Sequence, residues 1–206
     1  MRLSAAWRFV PDGTDDFEKA KYIYDALILR TEYEQGSADS QTICSVLLNQ
    51  RSVCQGYAKT FQYLCQLAGI PAMLVTGDVN GEGHAWNIVF LDGDWYYIDP
   101  TWGDASYQRE KGEETPALTE TVNYDYFCVT TQEIERTHSM DDNQLLPVCN
   151  AVQDQYYRHE GLYLQSADKE KIDEIFARAA QKGAPMVCFQ CAADTVYQEV
   201  YRLLIE

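Results

Sequence analysis

The sequence has no apolar stretch approaching the roughly 20 residues that a bilayer-spanning helix needs. Its N-terminus, Met1-Arg2-Leu3-Ser4-Ala5-Ala6-Trp7-Arg8, has no signal-like apolar core, because Arg8 interrupts it. The expectation is a soluble chain that carries no address: cytoplasmic as written, exported or cell-surface if these residues are a fragment. Basic residues are scarce. Sixteen Lys+Arg stand against 32 Asp+Glu, a formal net charge of −16 over 206 residues. Phosphate contacts are made by Lys and Arg, so neither nucleic acid nor an anionic membrane surface is an expected partner. There is no internal repeat, no low-complexity segment and no glycine-rich phosphate loop; Gly81, Gly83 and Gly93 fall in hairpin turns. Seven cysteines are present, an odd number at irregular spacing. In a chain large enough to bury its own core, that argues against a disulfide framework.

The chain can build such a core. Hydrophobic residues make up 46% and charged residues 23%, which separates it from disordered acidic tails. Thr14-Asp15-Asp16 opens a helix in which Phe17, Ala20, Ile23, Tyr24, Leu27 and Ile28 recur at helical spacing. Ser40 can cap a short second helix with Ile43, Val46 and Leu47. A third begins near Cys54 and buries Tyr57 or Ala58, Phe61, Leu64, Cys65 and Ala68, with Gly69 as C-cap ahead of Pro71. The period then changes to two. Residues 72–79 read as a strand closed by Asn80-Gly81, 84–91 as a strand with His84, Trp86, Ile88 and Phe90 on one face, and 94–99 as its return across Asp92-Gly93.

Residues 103–123 are polar and read as a loop. A short strand follows at 124–129, then a capping box from Thr130 to Glu133. Beyond Pro147 the texture becomes strand (156–164), helix (166–182, capped by Ser166, ended by Gly183), strand (186–191) and helix (195–205). The organisation is α+β: a first domain over 1–152 and a small β-α-β-α subdomain of unknown role over 153–206.

Three polar residues stand out: Cys54, His84 and Asp99. Cys54 sits at a helix start, where the helix dipole favours a thiolate, the nucleophilic form. Gly56 beside it allows close approach of another backbone or a substrate. A two-residue Asp92-Gly93 turn pairs Leu91 with Asp94 and so places Asp99 opposite Trp86. His84 and Asp99 then become diagonal neighbours on one face, about 7–8 Å apart in backbone and within side-chain reach. A carboxylate that orients an imidazole, delivered to a thiol, is the nucleophile–base–orienter arrangement.

The blocks Val53-Cys54-Gln55-Gly56-Tyr57-Ala58, Gly83-His84-Ala85-Trp86-Asn87 and Tyr97-Ile98-Asp99-Pro100-Thr101-Trp102, spaced by 30 and then 15 residues, resemble the signature blocks of the transglutaminase-like superfamily. The bacterial transglutaminase/protease-like branch is the nearest in flavour. The resemblance runs from about Phe17 to Trp102, fades by Cys149 and leaves residues 155–206 uncovered. It implies a papain-like core, with N-terminal helices packed on an antiparallel sheet. It also implies a cofactor-free and metal-free cysteine enzyme with Cys54 as nucleophile, His84 as general base and acid, and Asp99 as orienter. The acyl-enzyme would be a thioester. Hydrolysis makes the protein a peptidase or amidase on peptide or isopeptide bonds; attack by an amine makes it a cross-linking transamidase. The third expectation is a non-catalytic binding module of a bacterial surface protein.

The Cys54 backbone N–H is one expected oxyanion donor, and Gln50 is a side-chain candidate for the second. Trp86 and Trp102 are candidates to line the substrate cleft. Tyr57 reads as packing. Cys188 and Cys191 form a C-x-x-C on an expected strand, where the two sulfurs would point to opposite faces, so a metal or redox site is disfavoured. His138 and His159 read as surface histidines in polar loops. The expected partner is a peptide or protein substrate.

Overall fold

The computed structural model describes residues 14–36, 39–104 and 122–205. The chain divides into two compact units, residues 1–154 and 155–206.

The first unit runs α1 (Asp16–Ile28), β1 (Glu32–Tyr33), α2 (Ile43–Leu47), β2 (Arg51–Ser52), α3 (Cys54–Leu67), β3 (Ala72–Val79), β4 (Glu82–Leu91), β5 (Asp94–Ile98), β6 (Phe127–Val129), α4 (Thr131–Ile134) and β7 (Ser139–Met140). Strands β6-β5-β4-β3-β7 form one sheet in that order, and every neighbouring pair in it is antiparallel. Helices come first and antiparallel strands follow, the α+β architecture the sequence indicates.

Local chemistry explains most of these elements. The Asp15 carboxylate accepts from the Glu18 N–H at 2.8 Å and caps α1. Phe17, Ala20, Tyr24 and Leu27 then lie fully buried on one side of that helix. Thr42, not the expected Ser40, caps α2, its hydroxyl accepting from the Ser45 N–H, while the Ser40 carbonyl takes the Ser52 hydroxyl (2.6 Å) and the Val53 N–H (3.2 Å). In α3, Tyr57, Ala58, Phe61 and Cys65 are fully buried; each large apolar side chain so placed contributes roughly 1.5–3 kcal/mol. Gly69 ends the helix at φ +82°.

The hairpin turns fix the register. Asn80-Gly81 and Asp92-Gly93 all have positive φ, the type I′ turn that matches strand twist. They pair Val79 with Glu82 and Leu91 with Asp94. One face of the sheet contributes Val75, Trp86, Ile88 and Tyr97 to a core closed by Val129, Ile134 and Cys149. Asn87 alternates to the other face, where its Nδ2 donates to the Ala58 carbonyl of α3 at 3.0 Å and ties helix to sheet.

Of the loop expected over 103–123, residues 105–121 lie outside the described residues. Asp104 and Val122 form an antiparallel bridge at its ends. The strand expected over 124–129 shortens to β6. The Asn123 side chain accepts from the Asp125 N–H at 2.9 Å and Phe127 N–H donates to Tyr124, so the chain turns before it can pair.

The second unit contains α5 (Tyr156–His159), β8 (Tyr163–Leu164), α6 (Lys169–Gln181), β9 (Gln190–Cys191) and α7 (Asp194–Ile205). The expected strand over 156–164 is corrected. Arg158 and His159 donate to the Gln155 carbonyl in a helical turn, and Gly161 reverses the chain at φ +68°. Only Tyr163 and Leu164 remain to pair with β9, in parallel. The strand expected over 186–191 likewise shrinks to two residues. Asp168 rather than Ser166 caps α6, accepting from the N–H groups of Glu170 and Lys171. Leu164, Ile172, Ile175 and Val200 form this unit's own core.

Candidate active site

Cys54 is the first residue of α3 and is half-buried. Its position is set by the turn before it. Strands β1 and β2 pair in parallel, Glu32 with Arg51 and Tyr33 with Ser52, which brings Ser52 to within 2.7 Å of the Ser45 hydroxyl. This serine cluster lies under the first turn of α3. A Cβ on Gly56 would collide with Ser52 Oγ and the Ser40 carbonyl, so glycine is required there. Val53, the N-cap, supplies no side-chain cap to the helix. The opening N–H groups of a helix have no intrahelical acceptor and carry its positive end, and here that end holds a thiol.

His84 and Asp99 meet as the strand register requires. His84 Nε2 lies 2.7 Å from Asp99 Oδ2, with both side chains buried. The nitrogen left to face Cys54 is Nδ1. Asp99 has no solvent exposure, and a bare carboxylate there would be costly. It is satisfied on every side. Oδ1 accepts the backbone N–H groups of Thr101 (2.8 Å) and Trp102 (3.3 Å). Oδ2 accepts from His84 and from a second imidazole, His138 Nε2, at 3.0 Å.

The electrostatics follow. For Asp99, burial favours the neutral acid, but the positive charge of His84 and the hydrogen bonds from His138 and His84 outweigh it and hold the carboxyl below its ordinary range. For His84, burial disfavours the charged form, yet the Asp99 carboxylate beside it, with a smaller contribution from Cys54, raises its pKa. The opposing shifts favour a carboxylate–imidazolium pair next to the thiol. Burial pushes the Cys65 and Cys128 thiols up, and Cys149 to about 11. Those three are inert packing.

His138 corrects the sequence reading. It is buried, not a surface histidine. Its ring packs against Trp86 (4.8 Å between centroids), Trp102 (5.0 Å), His84 (5.5 Å) and Tyr126 (5.8 Å). The capping box at Thr130 and Glu133 is present and starts α4. One turn after the fully buried Ile134, the His138 N–H donates to the Ile134 carbonyl at 2.9 Å. The four-residue spacing from Ile134 was the available signal, because it puts His138 on the buried side of that turn.

The remaining expectations divide. Trp86 is fully buried and stacks on His84 at 5.8 Å; it backs the imidazole from the core and does not line an open cleft. Trp102 is half-buried, packs edge-on against Tyr126 (4.9 Å) and gives its N–H to Asp99. Gln50 is exposed, at φ +56° between α2 and β2, and its carbonyl accepts from Glu32 N–H. Tyr57 is packing, with its hydroxyl between the Thr31 carbonyl (2.8 Å) and Asp104 Oδ2 (2.9 Å). His159 is exposed. Cys188 is exposed and Cys191 half-buried. His84, Asp99 and His138 present three potential metal ligands within 4.8 Å of one another, but their distances are those of N–H···O hydrogen bonds, and a metal would take the proton that orients His84.

Residues 4–100 match the transglutaminase-like superfamily. Over these residues the chain is similar to that superfamily. Among curated proteins, human kyphoscoliosis peptidase is 34% identical over 105 residues, covering 43% of this chain and 16% of that protein. The Lim and transglutaminase domain protein ltd-1 of Caenorhabditis elegans is 25% identical over 155 residues, covering 64% of this chain and 21% of that protein. The chain thus spans about a fifth or less of the curated relatives' length. A crystal structure of a TGase superimposes with a TM-score of 0.40 at 23% identity, covering 50% of this chain and 30% of that one. Among the described residues no helix is long and apolar enough to cross a membrane.

Proposed function

We propose that the chain is a cysteine-dependent acyl-transfer enzyme, a peptidase or amidase that hydrolyses peptide or isopeptide bonds through a thioester on Cys54. The observation that carries this reading is the buried His84–Asp99 pair beside a thiol at the uncapped start of α3. The match of residues 4–100 to the transglutaminase-like superfamily supports it, and the human relative's name is that of a peptidase.

The chemistry assigns one role to each group. The Cys54 sulfur attacks the carbonyl carbon, and the Cys54 N–H at the helix start faces the developing oxyanion. The carbon–nitrogen bond breaks as His84 gives its proton to the leaving amine. Water then attacks the thioester while His84 accepts its proton, the acid leaves, and Cys54 recovers the thiolate. Asp99 keeps His84 in the tautomer with Nε2 protonated and stabilises the imidazolium. A primary amine in place of water gives cross-linking by the same steps.

The test uses the full chain and its Cys54→Ala variant on a denatured-protein substrate, with and without a primary-amine probe. The expected result is new peptide termini from the wild type only, with little amine incorporated. Amine incorporation without new termini would make the protein a transamidase. Neither product, from a folded wild type, would leave the binding-module role.

A further inference from the structure

His138 has no part in the triad, yet it is held as closely as His84. Its Nε2 lies 3.0 Å from Asp99 Oδ2, the same oxygen that His84 meets at 2.7 Å. On its other side, Nδ1 lies 2.7 Å from the Thr137 hydroxyl. A carboxylate oxygen only accepts, so both imidazoles must hold a proton on Nε2. In neutral His138 the Nδ1 lone pair is then left to accept from the Thr137 hydroxyl, which also lies 3.4 Å from the Ile134 carbonyl, and this bond favours the tautomer that donates to Asp99. Trp86, Trp102 and Tyr126 surround the ring, and among the described residues they leave it no other acceptor of comparable strength.

Resting on the functional reading above, we propose that His138 is a positioning residue: its Nε2–H is the second donor to Asp99 Oδ2 and limits how much of that oxygen's charge reaches His84. With two backbone N–H groups on Oδ1 and two imidazoles on Oδ2, the carboxylate cannot rotate, and His84 is aimed at Cys54. Sharing Oδ2 also restrains Asp99 from holding the His84 proton too tightly. That proton must leave for the amine and return from water in each cycle.

Among the described residues, the titratable groups that face His84 are few. They are Asp99 after β5, Cys54 at the start of α3, and His138 before β7. Tyr24 of α1 and Tyr126 before β6 lie near Asp99, and burial raises both phenols, so they stay neutral. Removing the His138 donor therefore acts on His84 chiefly through Asp99, the carboxylate that both imidazoles share.

The experiment is an imidazole ¹H–¹⁵N titration of the full chain, which contains three histidines, alongside His138→Phe, His138→Gln and Thr137→Val. The wild type is expected to show neutral His138 protonated on Nε2. In His138→Phe the His84 midpoint is expected to move up by about one pH unit, because a hydrogen bond to a charged group is lost. His138→Gln restores an N–H donor and is expected to recover at least half of that shift. Thr137→Val, at an exposed position, guards against a misfolded His138→Phe; it is expected to raise the Nδ1-protonated fraction of His138. Two results would overturn the proposal: neutral His138 protonated on Nδ1 in the wild type, or a His84 midpoint unmoved or lowered in folded His138→Phe. Slow alkylation of wild-type Cys54 at pH 6 would instead defeat the functional reading, and it is measured on the same samples.

Discussion

Gly77 of β3 pairs with Met140 of β7, and nothing larger than glycine fits at that crossing. A Cβ on Gly77 would collide with the Ser139 carbonyl and press on the indole of Trp86. The close approach of β7 to β3 sets where His138, just before β7, falls beneath Asp99. Gly77→Ala is therefore expected to push β7 off the sheet edge. The cost is about 1–3 kcal/mol, as for other overpacked sites, read from the urea midpoint. The same variant should weaken the His138 bond to Asp99, visible as a changed His138 imidazole resonance.

Asp99→Asn tests the orienter without changing its shape. An amide offers one oxygen acceptor and one NH₂ donor, whereas four donors converge on Asp99. Either the two imidazole N–H groups on one side or the two backbone N–H groups on the other then face another donor. Alkylation of Cys54 at pH 6 is expected to slow by at least about 10²-fold, the scale of a lost general base. Stability should fall by about 3–5 kcal/mol, as when one partner of a buried pair is removed. Iodoacetamide labelling mapped by mass spectrometry and a urea melt measure the two effects separately.

The pH dependence of stability has a definite sign. The folded pKa of His84 is raised above its ordinary 6.5. Its contribution is complete below pH 6.5 and declines as pH rises from there through the raised value. The folded pKa of Asp99 is lowered from 3.8 to about 2. Its contribution is complete above pH 3.8 and is lost as pH falls from there towards 2. Both are present in full between 3.8 and 6.5. The stability difference between wild type and His84→Gln is expected to be largest in that interval and to shrink on either side. Urea midpoints at half-unit steps from pH 3 to 9 check this; a difference that grows above pH 6.5 would contradict it.

How far the sequence was readable depended on how local each signal was. Asp92-Gly93 fixed the β4–β5 register, and with it the meeting of His84 and Asp99, because a two-residue turn leaves no freedom in pairing. The start of α3 at Cys54 was legible from periodicity. The distal features were not. His138 reaches Asp99 through an edge pairing that Gly77 permits, and a glycine in a strand announces no partner. Gly56 indicated a close approach, but the serines that make it come from β2 and the α2 region. Tyr156 to Leu164 alternates like a strand, yet the Gln155 carbonyl draws Arg158 and His159 into a helical turn, a local bond that outcompetes a weak period.

The central claim is that Cys54 is activated by His84. The direct measurement is the rate of iodoacetamide alkylation at each of the seven cysteines across pH 5–9, in wild type and in His84→Ala. Cys188 is exposed, Cys44 is half-buried like Cys54, and Cys65, Cys128 and Cys149 are buried, so accessibility alone would make Cys188 the fastest. The account predicts that Cys54 outpaces Cys188 at pH 6 and loses that lead in His84→Ala. Cys54 reacting no faster than Cys44 or Cys188 at pH 6, or keeping its lead without His84, would contradict it.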